Sequence, residues 1–132
     1  MTDTVVKIMT MLTWVEIKKS ALENNIRGLR KVVGKDVILC PCVKANAYGH
    51  GLVEVSKIFL EATAKAGQAG ANWLAVNAIY EARTLREAGV DQPIYVLGYV
   101  ALDDLEDAVN LDLRLVVYNR ETIEKLGKIG KK

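Results

Sequence analysis

The sequence is poor in several residue types and patterns, and each shortage excludes something. It has one histidine, two cysteines and two prolines in 132 residues. Two cysteines are too few for a disulfide framework or a complete zinc site. Cys40 and Cys42 stand one residue apart on a strand-like stretch, a poor geometry for a bridge. They read as buried free thiols in a reducing, cytoplasmic compartment. There is no run of about 18 apolar residues, so no membrane span is expected. Neither sign of charge dominates: 18 Lys and Arg stand against 16 Asp and Glu, a formal net charge of +2. That balance gives no reason to expect a nucleic-acid or membrane-surface partner. Residues 1–12 carry Val5, Val6, Ile8, Met9, Met11 and Leu12, but no basic start and no small-residue cleavage site. They read as an N-terminal extension and not as a signal peptide. Lys128, Lys131 and Lys132 form a small basic, solvated tail.

What is present suffices for a core, since 51% of the residues are hydrophobic. Residues 13–17 (TWVEI) are β-prone. Ser20, with Glu23 three positions on, has the spacing of a capping box. Leu22, Ile26, Leu29 and Val33 then recur at helical intervals, and Gly34 closes that helix. A rhythm follows. Residues 37–43 (VILCPCV) form an apolar run, as in a strand covered on both faces. Leu52, Val55, Ile58, Phe59 and Ala62 mark a helix, and residues 73–76 (WLAV) a second strand. Ile79, Ala82, Leu85 and Arg86 lie on the next helix, closed by Gly89. Pro93 introduces a third strand over 94–97. Leu102, Leu105, Ala108 and Val109 mark a third helix of the series, and residues 113–118 (LRLVVY) a fourth strand. Asn119 caps a last helix bearing Ile123, Leu126 and Ile129. Residues 61–70 (EATAKAGQAG) read as a helix end plus a loop.

The pattern is βα repeated four times, which implies right-handed crossovers and a parallel sheet. The sheet could be open or part of a (β/α) barrel. A full eight-unit barrel needs roughly 250 residues, so the chain would hold about half of one.

One segment carries chemistry: 43–51, VKANAYGHG. Lys44 falls where the first apolar run ends, and the C-terminal ends of barrel strands are where such folds keep their active sites. Apolar surroundings lower a lysine pKa, and a neutral amine is what Schiff-base formation requires. Gly49 and Gly51 permit a tight turn into the next helix, whose N-terminus would favour an anion such as phosphate. The competing reading is a surface lysine that snorkels at a strand end. His50 and Asn46 read as loop architecture. Tyr95 and Tyr99 flank the end of the third strand, in the core or at the rim.

VKANAYGHG closely resembles the pyridoxal-phosphate lysine motif of alanine racemases. TWVEIKKSALENNIRGLR is similar to that family's opening strand and first helix. WLAVNAIYEARTLREAGVDQPIYVLG resembles its second and third βα units, and DLRLVVYN its fourth strand. The resemblance implies an α/β fold: the N-terminal portion, about four βα units, of a TIM-type (β/α)8 barrel over residues 13–132. In the family a C-terminal β domain follows and the enzyme is a homodimer. Lys44 would bond covalently to pyridoxal 5'-phosphate and act as one of two bases at the substrate Cα. Tyr48 would hydrogen-bond the cofactor phosphate. The second base is a tyrosine of the partner's C-terminal domain, and two arginines lie further along the chain; nothing here matches those motifs. The implied activity is interconversion of L- and D-alanine, supplying D-alanine for peptidoglycan, with the isolated fragment inactive. Two alternatives stay open: a broad-range amino-acid racemase, and a non-catalytic half-barrel module that binds pyridoxal phosphate. The wording of the motif argues against a decarboxylase.

Overall fold

The structure, a computed structural model, describes residues 13–62 and 70–130. The extension 1–12 and most of the loop expected over 61–70 lie outside these residues. Helix α1 (Lys19–Val33) contains no proline and ends where Gly34 takes φ 80° and donates its N–H to Arg30 O. The Ser20 capping box is not used. The helix begins one residue earlier, Lys18 offers no side-chain cap, and Glu23 instead reaches Arg27 at 3.5 Å. The buried stripe of α1 also differs from the expected one. Ile26 and Arg30 are buried, whereas Leu29 is 53% exposed and Val33 37%. The inward row is Leu22, Ile26 and Arg30, an i, i+4 series whose first two members pack beside α3 (Leu52–Glu61), so Leu29 and Val33 turn outward. Residues 13–17 form no strand, and Trp14 and Val15 stand in solvent. A strand needs a neighbour to satisfy its backbone, and none lies beside these residues among those described.

Strands β1 (Leu74–Val76), β2 (Ile94–Val96) and β3 (Leu113–Leu115) form a parallel sheet in the order β1-β2-β3. Leu74 pairs with Ile94 and Ile94 with Leu113, one register step below Ala75, Tyr95 and Arg114. The expected first strand, 37–43, runs alongside β1 but forms only one bridge, Cys42 to Ala75. Val43 N–H donates to Ala75 O at 2.8 Å, Ala75 N–H to Pro41 O at 2.9 Å, and Asn72 N–H to Leu39 O at 2.8 Å. Pro41 has no N–H to return, so the ladder is broken there. Val37 and Ile38 are exposed, so the segment is not covered on both faces throughout. The expected strands at 94–97 and 113–118 stop at Val96 and Leu115.

Helices α4 (Ile79–Glu87), α5 (Leu105–Asn110) and α6 (Arg120–Ile129) follow the strands; α5 is entered through a 3-10 turn at Leu102–Asp104. Asn119 caps α6 as expected, its side chain accepting from Thr122 N–H at 2.8 Å. Leu74, Val76, Ile94, Val96 and Leu113 pack against Ala82, Leu85, Leu105 and Ala108 to form the core between sheet and helices. Alternation along the strands leaves Cys42, Ala75, Tyr95 and Arg114 on the other, concave face. This is the layering of a barrel wall.

Two arginines tie the floor of this wall together. Arg30, buried at the end of α1, donates to Gly34 O (2.8 Å), Val37 O (2.6 Å), Gly70 O (3.0 Å) and the Asn72 side chain. Arg86 on α4 donates to Val90 O (2.6 Å), Gln92 O (2.8 Å), Leu111 O (3.0 Å) and Asp112 O (3.3 Å). Each guanidinium holds the end of its own helix against the loop that enters the following strand. Asp112, the residue before β3, takes a positive φ of 47°. Its carboxyl is held below the ordinary range by the hydrogen bond from Arg114, then by the charges of Arg114 and Arg86.

Removing Arg30 strands four acceptors at once, the Gly70 carbonyl among them in a buried hydrogen bond. Arg30→Ala is expected to cost about 3 kcal/mol in urea unfolding, and Arg30→Lys to recover little, because an ammonium lacks the fork. Arg83→Ala, which breaks only the exposed pair with Asp107, is expected to cost under about 1 kcal/mol. Equal losses in the two variants would refute the staple.

Candidate active site

The chain leaves the sheet at Lys44. Val43 is fully buried in the core and pinned by its N–H to Ala75 O. Lys44 follows, half-buried, at the C-terminal end of the bridged segment, which is the end where β1, β2 and β3 also finish. It stands two residues beyond Cys42, the residue bridged to Ala75. The turn α2 (Lys44–Tyr48) that starts here is left-handed. Ala45, Asn46 and Ala47 have φ of 52°, 56° and 51°, and Tyr48 has φ 55°. Four successive non-glycine residues in that region are costly, roughly 1–2 kcal/mol each, and persist only where neighbouring contacts enforce them.

Those contacts are on hand. Ala47 is buried and donates to Val43 O at 2.7 Å. Gly49 continues the left-handed path at φ 88° and donates to Ala45 O at 3.2 Å and Asn46 O at 3.0 Å. The Asn46 side chain accepts from Leu52 N–H at 2.8 Å. His50 Nδ1 lies 3.0 Å from Ala47 O and 3.3 Å from Tyr48 O. Both residues therefore act as loop architecture. From the far side, the Glu81 carboxylate accepts from Ala45 N–H at 2.6 Å.

Tyr48 is thrown outward by the turn. It is 62% exposed, and its hydroxyl donates to Cys42 Sγ at 3.6 Å. That hydrogen bond, then the charge a Cys42 thiolate would carry, raises the Tyr48 phenol above its ordinary range. The hydroxyl thus keeps its proton as a donor. Cys40 is raised as well, first by burial and then by Cys42. A small hollow beside this cluster is lined by Leu22, Cys42, Ala47, Tyr48, His50 and Phe59.

The N-terminus of α3 is not the open anion site the sequence suggested. Asn46 already takes the Leu52 N–H, and the Glu54 carboxylate folds back so that a Cβ on Gly51 would meet it at 2.7 Å. A helix end that carries its own carboxylate has little left for a phosphate. Tyr95 faces the concave side half-buried, and Tyr99 lies at the rim against Tyr118, ring centroids 6.3 Å apart. The close meeting of the rim segments relies on Gly98, where a Cβ would collide with the Asn77 carbonyl.

Glu81 is the site residue that sequence reasoning missed. Its place three residues after Ala78 has the spacing of a capping box, but alanine in the first position conceals it.

The left-handed turn predicts an inverted glycine effect. Ala45→Gly, at an exposed position with φ 52°, is expected to raise stability by about 0.5–1 kcal/mol. Ala21→Gly in α1 is expected to lower it by a similar amount. Ultraviolet titration of the phenols should place Tyr48 above the ordinary tyrosine range, and Cys42→Ala should bring it down. An unmoved midpoint would contradict the contact with Cys42.

The chain matches the family model described as alanine racemase, N-terminal domain, over residues 17–132. It is 44% identical over 119 residues to the alanine racemase of Methanococcus maripaludis, covering 90% of this chain and 30% of that protein. Its fold superposes on an alanine racemase of Clostridium difficile with a TM-score of 0.82 at 33% identity, covering 94% of this chain and 31% of that one. A histidine racemase from Leuconostoc mesenteroides gives a TM-score of 0.70 at 27% identity, over 84% and 28% of the two chains. The chain thus spans about three-tenths of the length of these relatives. With its parallel sheet, its outer helices and a match that runs from Ile17 to Lys132, the chain belongs to the alanine racemase N-terminal domain family and forms the first part of that family's TIM-type barrel.

Proposed function

We propose that this chain is the cofactor-holding part of a pyridoxal-phosphate-dependent alanine racemase, an isomerase that interconverts L- and D-alanine. The observation that carries the reading is the placement of Lys44. A half-buried lysine stands at the C-terminal end of the segment beside β1, directly before a strained turn that brings the exposed Tyr48 four residues later. The donor set fits the cofactor: an amine to bond an aldehyde, and a protonated phenol to donate to a phosphate oxygen.

When bound, pyridoxal phosphate supplies an electron sink for the charge left at Cα once its proton is removed. Lys44 would hold the cofactor covalently and, once the substrate's amine had replaced it there and set its own amine free, would take or return the Cα proton on one face of the substrate. Tyr48 would anchor the phosphate by donating its hydroxyl hydrogen, in place of the bond it makes to Cys42 Sγ. Racemisation needs a second base on the opposite face; the family resemblance supplies it as a tyrosine of a partner subunit's C-terminal domain. The working enzyme on this reading is a cytoplasmic homodimer that provides D-alanine for peptidoglycan. Residues 13–132 are its half-barrel and 1–12 an extension. Among the described residues no helix is long and apolar enough to cross a membrane.

The similarity to a histidine racemase favours one second reading, a racemase of broader or different substrate range. Lys44 and Tyr48 serve both readings, because neither grips the substrate side chain.

Incubation with pyridoxal phosphate followed by borohydride should leave a reduced adduct on the peptide containing Lys44, and none in Lys44→Ala. Label on another lysine, or equal label in both proteins, would end this reading. Tyr48→Phe is expected to weaken cofactor binding about tenfold, the loss of roughly one charge-assisted hydrogen bond. The 132 residues alone are expected to racemise no alanine, and clear turnover would refute the need for a second base from elsewhere.

A further inference from the structure

We propose that Glu81 is a positioning residue for Lys44, acting through the main chain of the turn that follows the lysine. The proposal rests on the reading of Lys44 as the cofactor lysine. Glu81 lies in the first turn of α4, in the next βα unit, and is 2% exposed. A buried carboxylate must be compensated, and here the donors are main-chain N–H groups. Oε1 accepts from Ala45 N–H at 2.6 Å, while Oε2 accepts from Asn77 N–H at 2.8 Å and Ala78 N–H at 3.2 Å. One oxygen thus serves the residue after Lys44, and the other serves the corner where β1 passes into α4.

This division gives the carboxylate two separable tasks. Toward α4 it is a helix cap, satisfying N–H groups that a helix start leaves open. Toward Ala45 it is a tether. Ala45 opens the left-handed run, and its N–H would otherwise be left unpaired at the start of that turn. Among the described residues the other hydrogen bonds of the turn are local, reaching no further than Cys42 on one side and Leu52 on the other. The bond to Glu81 spans 36 positions of sequence and fixes the turn relative to the adjoining strand. Rotation of Ala45 about its neighbours would swing both the amine at 44 and the phenol at 48. Holding that one N–H therefore holds the geometry of both cofactor contacts. A glutamate suits this because an ionised carboxylate only accepts, with lone pairs enough for three donors. A glutamine would place an NH2 group against N–H groups at one of the two ends.

The test compares wild type, Glu81→Gln, and the double variant Ala78→Ser with Glu81→Gln, in which a serine side chain restores a cap to α4. Amide exchange and binding of pyridoxal phosphate, followed by borohydride labelling of Lys44, are measured on each. In wild type the Ala45 amide should be protected like those of Asn77 and Ala78. In Glu81→Gln its exchange should quicken at least tenfold, and the cofactor dissociation constant should rise about tenfold. In the double variant the α4 amides should recover protection, while Ala45 and cofactor affinity should not. An Ala45 amide already open in wild type overturns the proposal, whatever the variants do. So does a double variant that regains wild-type affinity, since Glu81 would then be a helix cap only. If wild type takes no label at Lys44, the cofactor reading fails by itself. Exchange at Ala45 in the two variants still decides the tether: lasting loss supports it, and full protection overturns it.

Discussion

The site depends on a reversal of handedness. The main chain arrives at Lys44 as an extended segment beside β1 and leaves it through four residues of left-handed turn. An ordinary right-handed helix would carry the residues after 44 along a different path. The left-handed turn puts Ala47 into the core and Tyr48 outside, while Val43 stays locked between sheet and helices. Alanine and asparagine do not choose that conformation alone, so tertiary contacts must impose it. Burial of Ala47, the Asn46 and His50 side chains and the Glu81 carboxylate share the work along the turn.

Much of the framework was legible because it follows periodicity. The βα alternation, the apolar runs that became β1 to β3, the glycines closing α1 and α4, and the Asn119 cap are local features with local causes. Failures came where two local preferences competed. Ser20 and Glu23 have the capping spacing, but Glu23 lies within reach of Arg27 and the helix starts at Lys19 instead. Leu29 and Val33 share the helical repeat with Ile26, yet the face that docks is the row through Leu22, Ile26 and Arg30. The run at 37–43 is apolar enough for a strand, but Pro41 faces β1 with no hydrogen to give.

The site was legible in a different way. Strand-end placement made Lys44 suggestive, and only the likeness of nine consecutive residues to a family motif made it specific. The handedness of α2 left no mark in composition, since nothing about Ala-Asn-Ala demands a positive φ. Glu81 was hidden because its partners are main-chain hydrogens brought together by folding from 36 positions away. The occupied N-terminus of α3 was likewise invisible until Asn46 and Glu54 could be placed in space.

The two ends of the sheet are secured by different chemistry. At the upper end an acidic side chain gathers amide hydrogens; at the lower end Arg86 gathers four main-chain oxygens. A guanidinium keeps its proton throughout the usable range and peptide carbonyls have none to gain or lose. Dilute electrolyte, which weakens exposed ion pairs such as Arg83 with Asp107, has less purchase on a partly buried cation set among dipoles. The contacts Arg86 makes at the base of this half-barrel are therefore of a kind that added salt has little means to loosen.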